Sequence, residues 1–230
     1  MRKPPKPSTT EIQVPAIEVM CRPSCTSLFI SSKSKSKPSY LYFSPLLICQ
    51  DIVISIFHPV TEDQENNIND IKNTIEILNT LNAQVIWIMP NSDSGSETIR
   101  NLVLKKRNSN ITIFRNIGRE YFLGLMKISS FVVGNSSAGL LEAPSFKIPA
   151  INIGRRQNHR VRAKNVFDLK TTSKNKLKNL IDRVLLVKKK NLLAKIKNPY
   201  GDGNSSIRII KILEKQINSN YILKKSLDLK

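Results

Sequence analysis

The run Ile52-Val-Ile-Ser-Ile-Phe57 restricts the fold of this chain more than any other stretch. It is almost entirely apolar, largely β-branched, and shows no polar alternation. That pattern fits a strand buried on both faces, and such strands belong to parallel sheets covered by helices on each side. Similar runs return at Val85-Ile-Trp-Ile-Met89, Ile111-Thr-Ile-Phe114, Phe131-Val-Val133, Ile148-Pro-Ala-Ile-Asn-Ile153 and Asn165 to Leu169. Between them lie stretches with helical periodicity. Ile68, Ile71, Ile75, Leu78 and Leu81 recur at three or four, with Thr61 and Gln64 placed as a capping box. Ser94 and Glu97 can cap a helix reaching about Lys106, and a further helix is expected from Arg119 to Ile128. Strict alternation of strand and helix predicts an α/β fold, a Rossmann-like parallel sheet flanked by helices with right-handed crossovers.

This domain is expected to begin at Asp51 and run to Ile217. Ahead of it, prolines at 4, 5, 7, 15, 23, 38 and 45 and the run Ser31-Ser-Lys-Ser-Lys-Ser-Lys37 predict a largely irregular segment over 1–50. Behind the turn Asn198-Pro-Tyr-Gly-Asp-Gly203, Ile207, Ile210, Leu213 and Ile217 predict an amphipathic helix, with a frayed tail over 218–230. Cys21, Cys25 and Cys49 make neither a disulfide framework nor a zinc pattern, so no metal or other cofactor is expected. No apolar run reaches the length of a membrane span, and residues 1–30 lack the order of a signal peptide, which gives a cytoplasmic protein as the expectation.

The net charge of +20 raises the question of a polyanionic partner. Residues 155–197 alone hold fifteen Lys or Arg against two Asp, largely on one expected helix and its flanks. No aromatic RNA-binding motif, zinc-finger spacing or basic-aromatic alternation accompanies them, which argues against a reader of nucleic-acid bases and for solvated surface and attraction of a small anion.

Chemistry concentrates in Phe131-Val-Val-Gly-Asn-Ser-Ser-Ala-Gly-Leu-Leu-Glu142. A strand, a small-residue turn, and a helix starting near Ser136 with Glu142 two turns in would converge free N–H groups on one spot, a phosphate-binding arrangement. It matches neither the dinucleotide fingerprint nor a P-loop. On these residues alone, Gly134 and Gly139 serve equally well a turn and close packing, and Ser136 a plain N-cap. Four polar clusters, at His58, Pro90-Asn91, Gly134-Asn135 and Gly154-Arg155, follow strand ends, where open parallel sheets bind ligands.

Taken together, Phe57-His-Pro-Val-Thr61, Pro90-Asn-Ser-Asp-Ser-Gly95, Gly134-Asn-Ser-Ser-Ala-Gly139 through Glu142-Ala-Pro-Ser-Phe146, Pro149 through Asn152-Ile-Gly-Arg-Arg-Gln157, and Asn198-Pro-Tyr-Gly-Asp-Gly203 resemble the hydrolysing UDP-N-acetylglucosamine 2-epimerases. The resemblance covers Asp51 to Ile217 and corresponds to the carboxyl-terminal domain of a GT-B fold. It implies binding of UDP-GlcNAc and UDP, with Ser136 and Ser137 at the diphosphate, Glu142 at the ribose hydroxyls, Arg156 at phosphate or sugar, Asn135 and Gly139 among the other UDP-sugar-binding residues, and His58 as the catalytic histidine near the leaving UDP. The reaction it implies removes the C2 proton and expels UDP to a glycal, which takes up water to give N-acetylmannosamine. The carboxylates for that step come, in the family, largely from an amino-terminal domain, so the chain corresponds to the nucleotide-binding half. A separate amino-terminal half or a second copy would then be a partner. A GT-B glycosyltransferase domain or a non-catalytic UDP-binding remnant is the alternative. Where the family shows Arg-Gln-x-Gly-Arg, this chain runs Arg156-Gln-Asn-His-Arg160, so His159 replaces a glycine and strains the loop if φ is positive there.

Overall fold

The computed structural model describes residues 28–31, 40–43 and 51–217. Strands β1 (Leu28–Ser31) and β2 (Tyr40–Phe43) pair antiparallel within the segment expected to be largely irregular; the rest of that segment, the three cysteines and the tail beyond Ile217 lie outside the described residues. The main sheet has six parallel strands, β3 (Asp51–Ile56), β4 (Ala83–Ile88), β5 (Ile111–Phe114), β6 (Phe131–Gly134), β7 (Ala150–Ile153) and β8 (Val166–Leu169). Their order across the sheet is β5-β4-β3-β6-β7-β8. The chain thus works outward from β3 to one edge, then returns to the middle at β6 and works outward to the other, which leaves a crevice between the carboxyl ends of β3 and β6.

The continuous apolar runs are explained by the two layers that cover the sheet. Val53 and Phe57 of the first strand and its extension pack with Val85 and Trp87 against α1 (Gln64–Leu78), α2 (Ser96–Lys106) and α5 (Lys174–Lys189), through Ile71, Ile75, Ile99, Val103, Leu177 and Ile181. Ile52, Ile54 and Ile56 point the other way, into a second cluster with Leu125 and Met126 of α3 (Arg119–Ile128) and with Ala138 and Ala143. Trp87 is fully buried and stacks on Phe57 with ring centroids 5.7 Å apart. Burying an Ile, Leu or Phe side chain contributes about 1.5 to 3 kcal/mol, so a strand that feeds two layers carries roughly twice what an amphipathic one does per residue.

The expected element order holds with local corrections. Helix α1 starts at Gln64 after a 3-10 turn over Thr61–Asp63, and neither Thr61 nor any other side chain caps it. The carboxylate of Asp63, the cap residue, is engaged elsewhere, accepting from Asn66 Nδ2 at 2.6 Å and pairing with Arg155 at 3.1 Å. Ser94 does not cap α2; Gly95 does, with φ 86°. Alternation is not strict either, since residues 154–165 cross from β7 to β8 through turns without a helix.

The helix expected from Ser136 is a single turn, α4 (Ala138–Leu141), followed by a 3-10 turn over Ala143–Phe146. Pro144 explains the break, because it has no N–H to continue the ladder and disfavours helical geometry at Ala143. Glu142 is therefore the residue that ends α4, and the dipole of one turn adds little to the turn's own N–H groups.

Of the described residues, 198–217 belong to a separate compact unit. Within it, Asp202 accepts from the Asn204 N–H and pairs with Arg208 at 2.6 Å, which lower its pKa to about 2, and α6 (Ser205–Ile217) follows. Of the expected stripe, Ile207, Ile210 and Leu213 are exposed, as are Ile209 and Ile212 beside it.

Candidate functional site

The crevice is built on one asparagine. Ile56 and Gly134 are the last paired residues of β3 and β6, and the Asn135 N–H still donates to the Ile56 carbonyl at 3.1 Å. One step further the backbones no longer pair. Instead the Asn135 amide takes the place of a peptide group: its Oδ1 accepts from the His58 N–H at 2.7 Å and its Nδ2 donates to the His58 carbonyl at 2.8 Å. Nδ2 also donates to Asn67 Oδ1 at 3.3 Å, and Asn67 Nδ2 returns to the His58 carbonyl at 3.2 Å. On its other side the Asn135 carbonyl accepts from Gln157 Nε2 at 2.7 Å and from Arg156 Nη1 at 3.4 Å.

Beside this junction opens a cleft of about 530 Å³, lined by His58, Ser136, Ser137, Ala138 and Glu142 together with Met89 to Ser92, Arg100 and residues 115–117. The Ser136 Oγ accepts from the Ala138 N–H at 3.3 Å, which leaves its hydroxyl proton to donate outward. Ser137 makes no capping bond with its side chain. Among the described residues the N–H groups of Ser136 and Ser137, which line the cleft, meet no protein acceptor, so donors are free there that an anion can satisfy. Glu142 supplies the complement. Its Oε2 is buried with no donor among the described residues, a costly state for a carboxylate unless a ligand's hydroxyls fill it.

The expected site residues do not all play the expected parts. His58, Ser136, Ser137 and Glu142 share the cleft. Asn135 does not face it: the residue is 1% exposed and its amide and carbonyl are all engaged, so its role is to join strand ends rather than to touch a ligand. Gly139 is buried because a Cβ there would lie 3.1 Å from that of Ala150, so the packing alternative accounts for its side of the turn while its N–H remains available. Arg156 lines an adjoining depression with Pro59, Val60 and Thr61 rather than the cleft. Asn67, Gln157, Arg100, Arg115, Ile117 and Phe122 were not singled out by the sequence; the last four become visible only when β4 and β5 are placed beside β3.

His58 is half-buried and its pKa is lowered from 6.5, first by burial and then by the Arg156 guanidinium, with Asp93 opposing. Its Nδ1 has no partner among the described residues. The imidazole is thus neutral near pH 7. The unfolded chain protonates at about 6.5 and the folded chain only at lower pH, so the stability from neutral His58 is complete above 6.5 and is lost as pH falls through the folded value. Thermal unfolding followed by circular dichroism between about pH 7.5 and 5 should show a steeper loss for the wild type than for His58→Gln; equal slopes would contradict the assignment.

His159 has φ 67°, so the residue standing where the family has glycine does adopt the left-handed conformation. That conformation costs a non-glycine residue about 1 to 2 kcal/mol, offset by the greater freedom of glycine in the unfolded chain, about 0.4 to 1 kcal/mol. His159→Gly should therefore raise the melting temperature by up to roughly 4 °C, and His159→Val should lower it.

A model of the UDP-N-acetylglucosamine 2-epimerase family matches residues 26–214. The chain belongs to that family. The match starts at residue 26, ahead of Asp51 where the motifs begin. The chain is 34% identical over 164 residues to the UDP-N,N'-diacetylbacillosamine 2-epimerase (hydrolyzing) of Legionella pneumophila, covering 71% of this chain and 42% of that one. With the UDP-N-acetylglucosamine 2-epimerase of Neisseria meningitidis it shares 38% over 122 residues, 53% of this chain and 32% of the relative. Among solved structures, the UDP-GlcNAc 2-epimerase of Methanocaldococcus jannaschii in complex with UDP-GlcNAc and UDP superimposes with a TM-score of 0.58 at 24% identity, over 72% of this chain and 46% of that one. The MnaA-UDP structure from S. aureus gives 0.59 at 20% identity, over 74% and 47%. These likenesses place the fold as the carboxyl-terminal domain of a GT-B fold. The chain spans less than half the length of each of these relatives. Among the described residues no helix is long and apolar enough to cross a membrane, and no cluster of His, Cys, Asp or Glu is arranged to hold a metal.

Proposed function

We propose that this chain is the nucleotide-binding half of a hydrolysing UDP-N-acetylglucosamine 2-epimerase, acting in amino-sugar metabolism of the kind that feeds sialic acids or surface polysaccharides. The observation that carries this is the pairing, in one cleft, of unengaged N–H groups at Ser136 and Ser137 with the unengaged carboxylate oxygen of Glu142. The first suits a diphosphate and the second a pair of ribose hydroxyls, which a carboxylate can accept together.

In this reading the diphosphate lies over Ser136 and Ser137, next to His58. The phosphate charge raises the proton affinity of an imidazole otherwise held neutral, so His58 can give a proton to the oxygen that leaves C1. The C2 proton goes to a carboxylate of the complementary half, the C1–O bond breaks, and UDP departs from the glycal. Water then adds across the double bond, hydroxyl to C1 and proton to C2, to give N-acetylmannosamine.

Calorimetric titration with UDP tests the reading. Loss of one hydrogen bond to a charged group costs about 1.5 to 3 kcal/mol, so Ser137→Ala and Glu142→Ala should each weaken binding roughly tenfold or more. Absence of binding by the folded wild-type chain at millimolar UDP would sink it.

A further inference from the structure

We infer that Asn67 is a positioning residue for His58, holding it directly and through Asn135. Past the last paired rung of β3 and β6, both backbone groups of His58 are bonded to side-chain amides rather than to a neighbouring strand. Two of those contacts depend on Asn67. Its Nδ2 donates to the His58 carbonyl at 3.2 Å, and its Oδ1 accepts the second Nδ2 proton of Asn135 at 3.3 Å, which fixes the plane of the amide that carries the other two bonds. The orientation of both amides is forced, because an N–H must face Asn135 Oδ1 and a carbonyl must face Nδ2.

Asn67 sits in the first turns of α1 and is buried, although its neighbours Glu65 and Asn66 are exposed. A polar residue buried on that face is explained by the junction, not by helix packing. Gln157, 1% exposed, braces Asn135 from the β7 side through its carbonyl. The backbone of His58, whose imidazole borders the cleft, is thus held by α1, β3, β6 and the loop after β7 at once, while Arg156 and Asp93 supply the charges that act on the ring.

The assignment deepens the reading of the cleft, but its test needs no nucleotide, so either can fail alone. The chain has only two histidines, and His159 lies in the loop after β7, so proton NMR can follow both ring titrations with His159 as internal reference. In Asn67→Ala, the His58 midpoint should move up toward 6.5 and its amide should exchange at least tenfold faster, while His159 is unchanged. Asn67→Asp keeps the acceptor for Asn135 and removes the donor to His58, so its His58 amide should exchange at a rate between those of the wild type and Asn67→Ala, while its added charge raises the ring midpoint on its own account. A folded Asn67→Ala whose His58 midpoint and amide exchange match the wild type overturns the inference. If Asn67→Ala fails to fold, Asn67→Asp, which keeps volume and one contact, decides by the His58 amide exchange alone: a wild-type rate overturns the inference.

Discussion

Gly134→Ala should remove about 4 kcal/mol or more of stability, enough to unfold much of the population of a domain with ordinary reserves. Two effects act together. Gly134 has φ 138°, a conformation that side chains rarely adopt, and a Cβ built there would lie 2.0 Å from the Ile56 carbonyl oxygen. That oxygen cannot retreat, because it accepts the Asn135 N–H that starts the junction, and Ile56 is buried in the second core cluster. Relief requires separating the carboxyl ends of the two central strands. The expected result is loss of the cooperative thermal transition or a fall of more than roughly 10 °C. A transition within about 2 °C of the wild type would show that this turn is not the close approach described. Gly139→Ala is a useful contrast, since its neighbour is the Ala150 methyl at 3.1 Å, which can yield by a few tenths of an ångström.

The second large effect is on chemistry. The chain by itself should bind UDP-GlcNAc without turning it over. His58 is the acid-base group at the cleft, Asp93 lies in an exposed loop after β4, and Glu142 ends α4 at the ribose position proposed above. None of these supplies a carboxylate placed for the weakly acidic C2 proton. General acid-base groups typically contribute 10² to 10⁴ each, so the missing base alone should take the rate below detection. Incubation with UDP-GlcNAc, assayed for free UDP and N-acetylmannosamine, should show no product above a His58→Ala control. Product formation that disappears in that variant would mean that the catalytic groups are within this chain and have been misplaced.

Much of the sheet was legible because a strand buried on both faces leaves an unbroken apolar run, and Ile52 to Phe57 or Val85 to Met89 can hardly be anything else. Boundaries were less so. Thr61 and Ser94 had the right chemistry and spacing for caps, but Val60 remains extended and Gly95 takes a left-handed turn, so the helices start later than the side chains suggested. The short α4 was foreshadowed by Pro144, whose missing N–H outweighs the helix propensity of Leu140 and Leu141. Of the site, the residues of one contiguous motif were readable and those from distant segments were not. Asn135 illustrates the limit: its neighbours pointed to a ligand, yet only the adjacency of β3 and β6 shows that its amide is consumed by His58.

The central claim is that the turn after β6 holds a nucleotide diphosphate and Glu142 its ribose. It is tested most directly by mapping amide shifts of the nitrogen-labelled chain during titration with UDP. The account predicts that the largest changes fall on Ser136, Ser137 and Gly139, with Ile117 and His58 following at the same apparent affinity, and that Glu142→Ala weakens all of them together. Changes centred instead on the depression at Thr61, Arg155 and His159, or none at millimolar UDP, would contradict it.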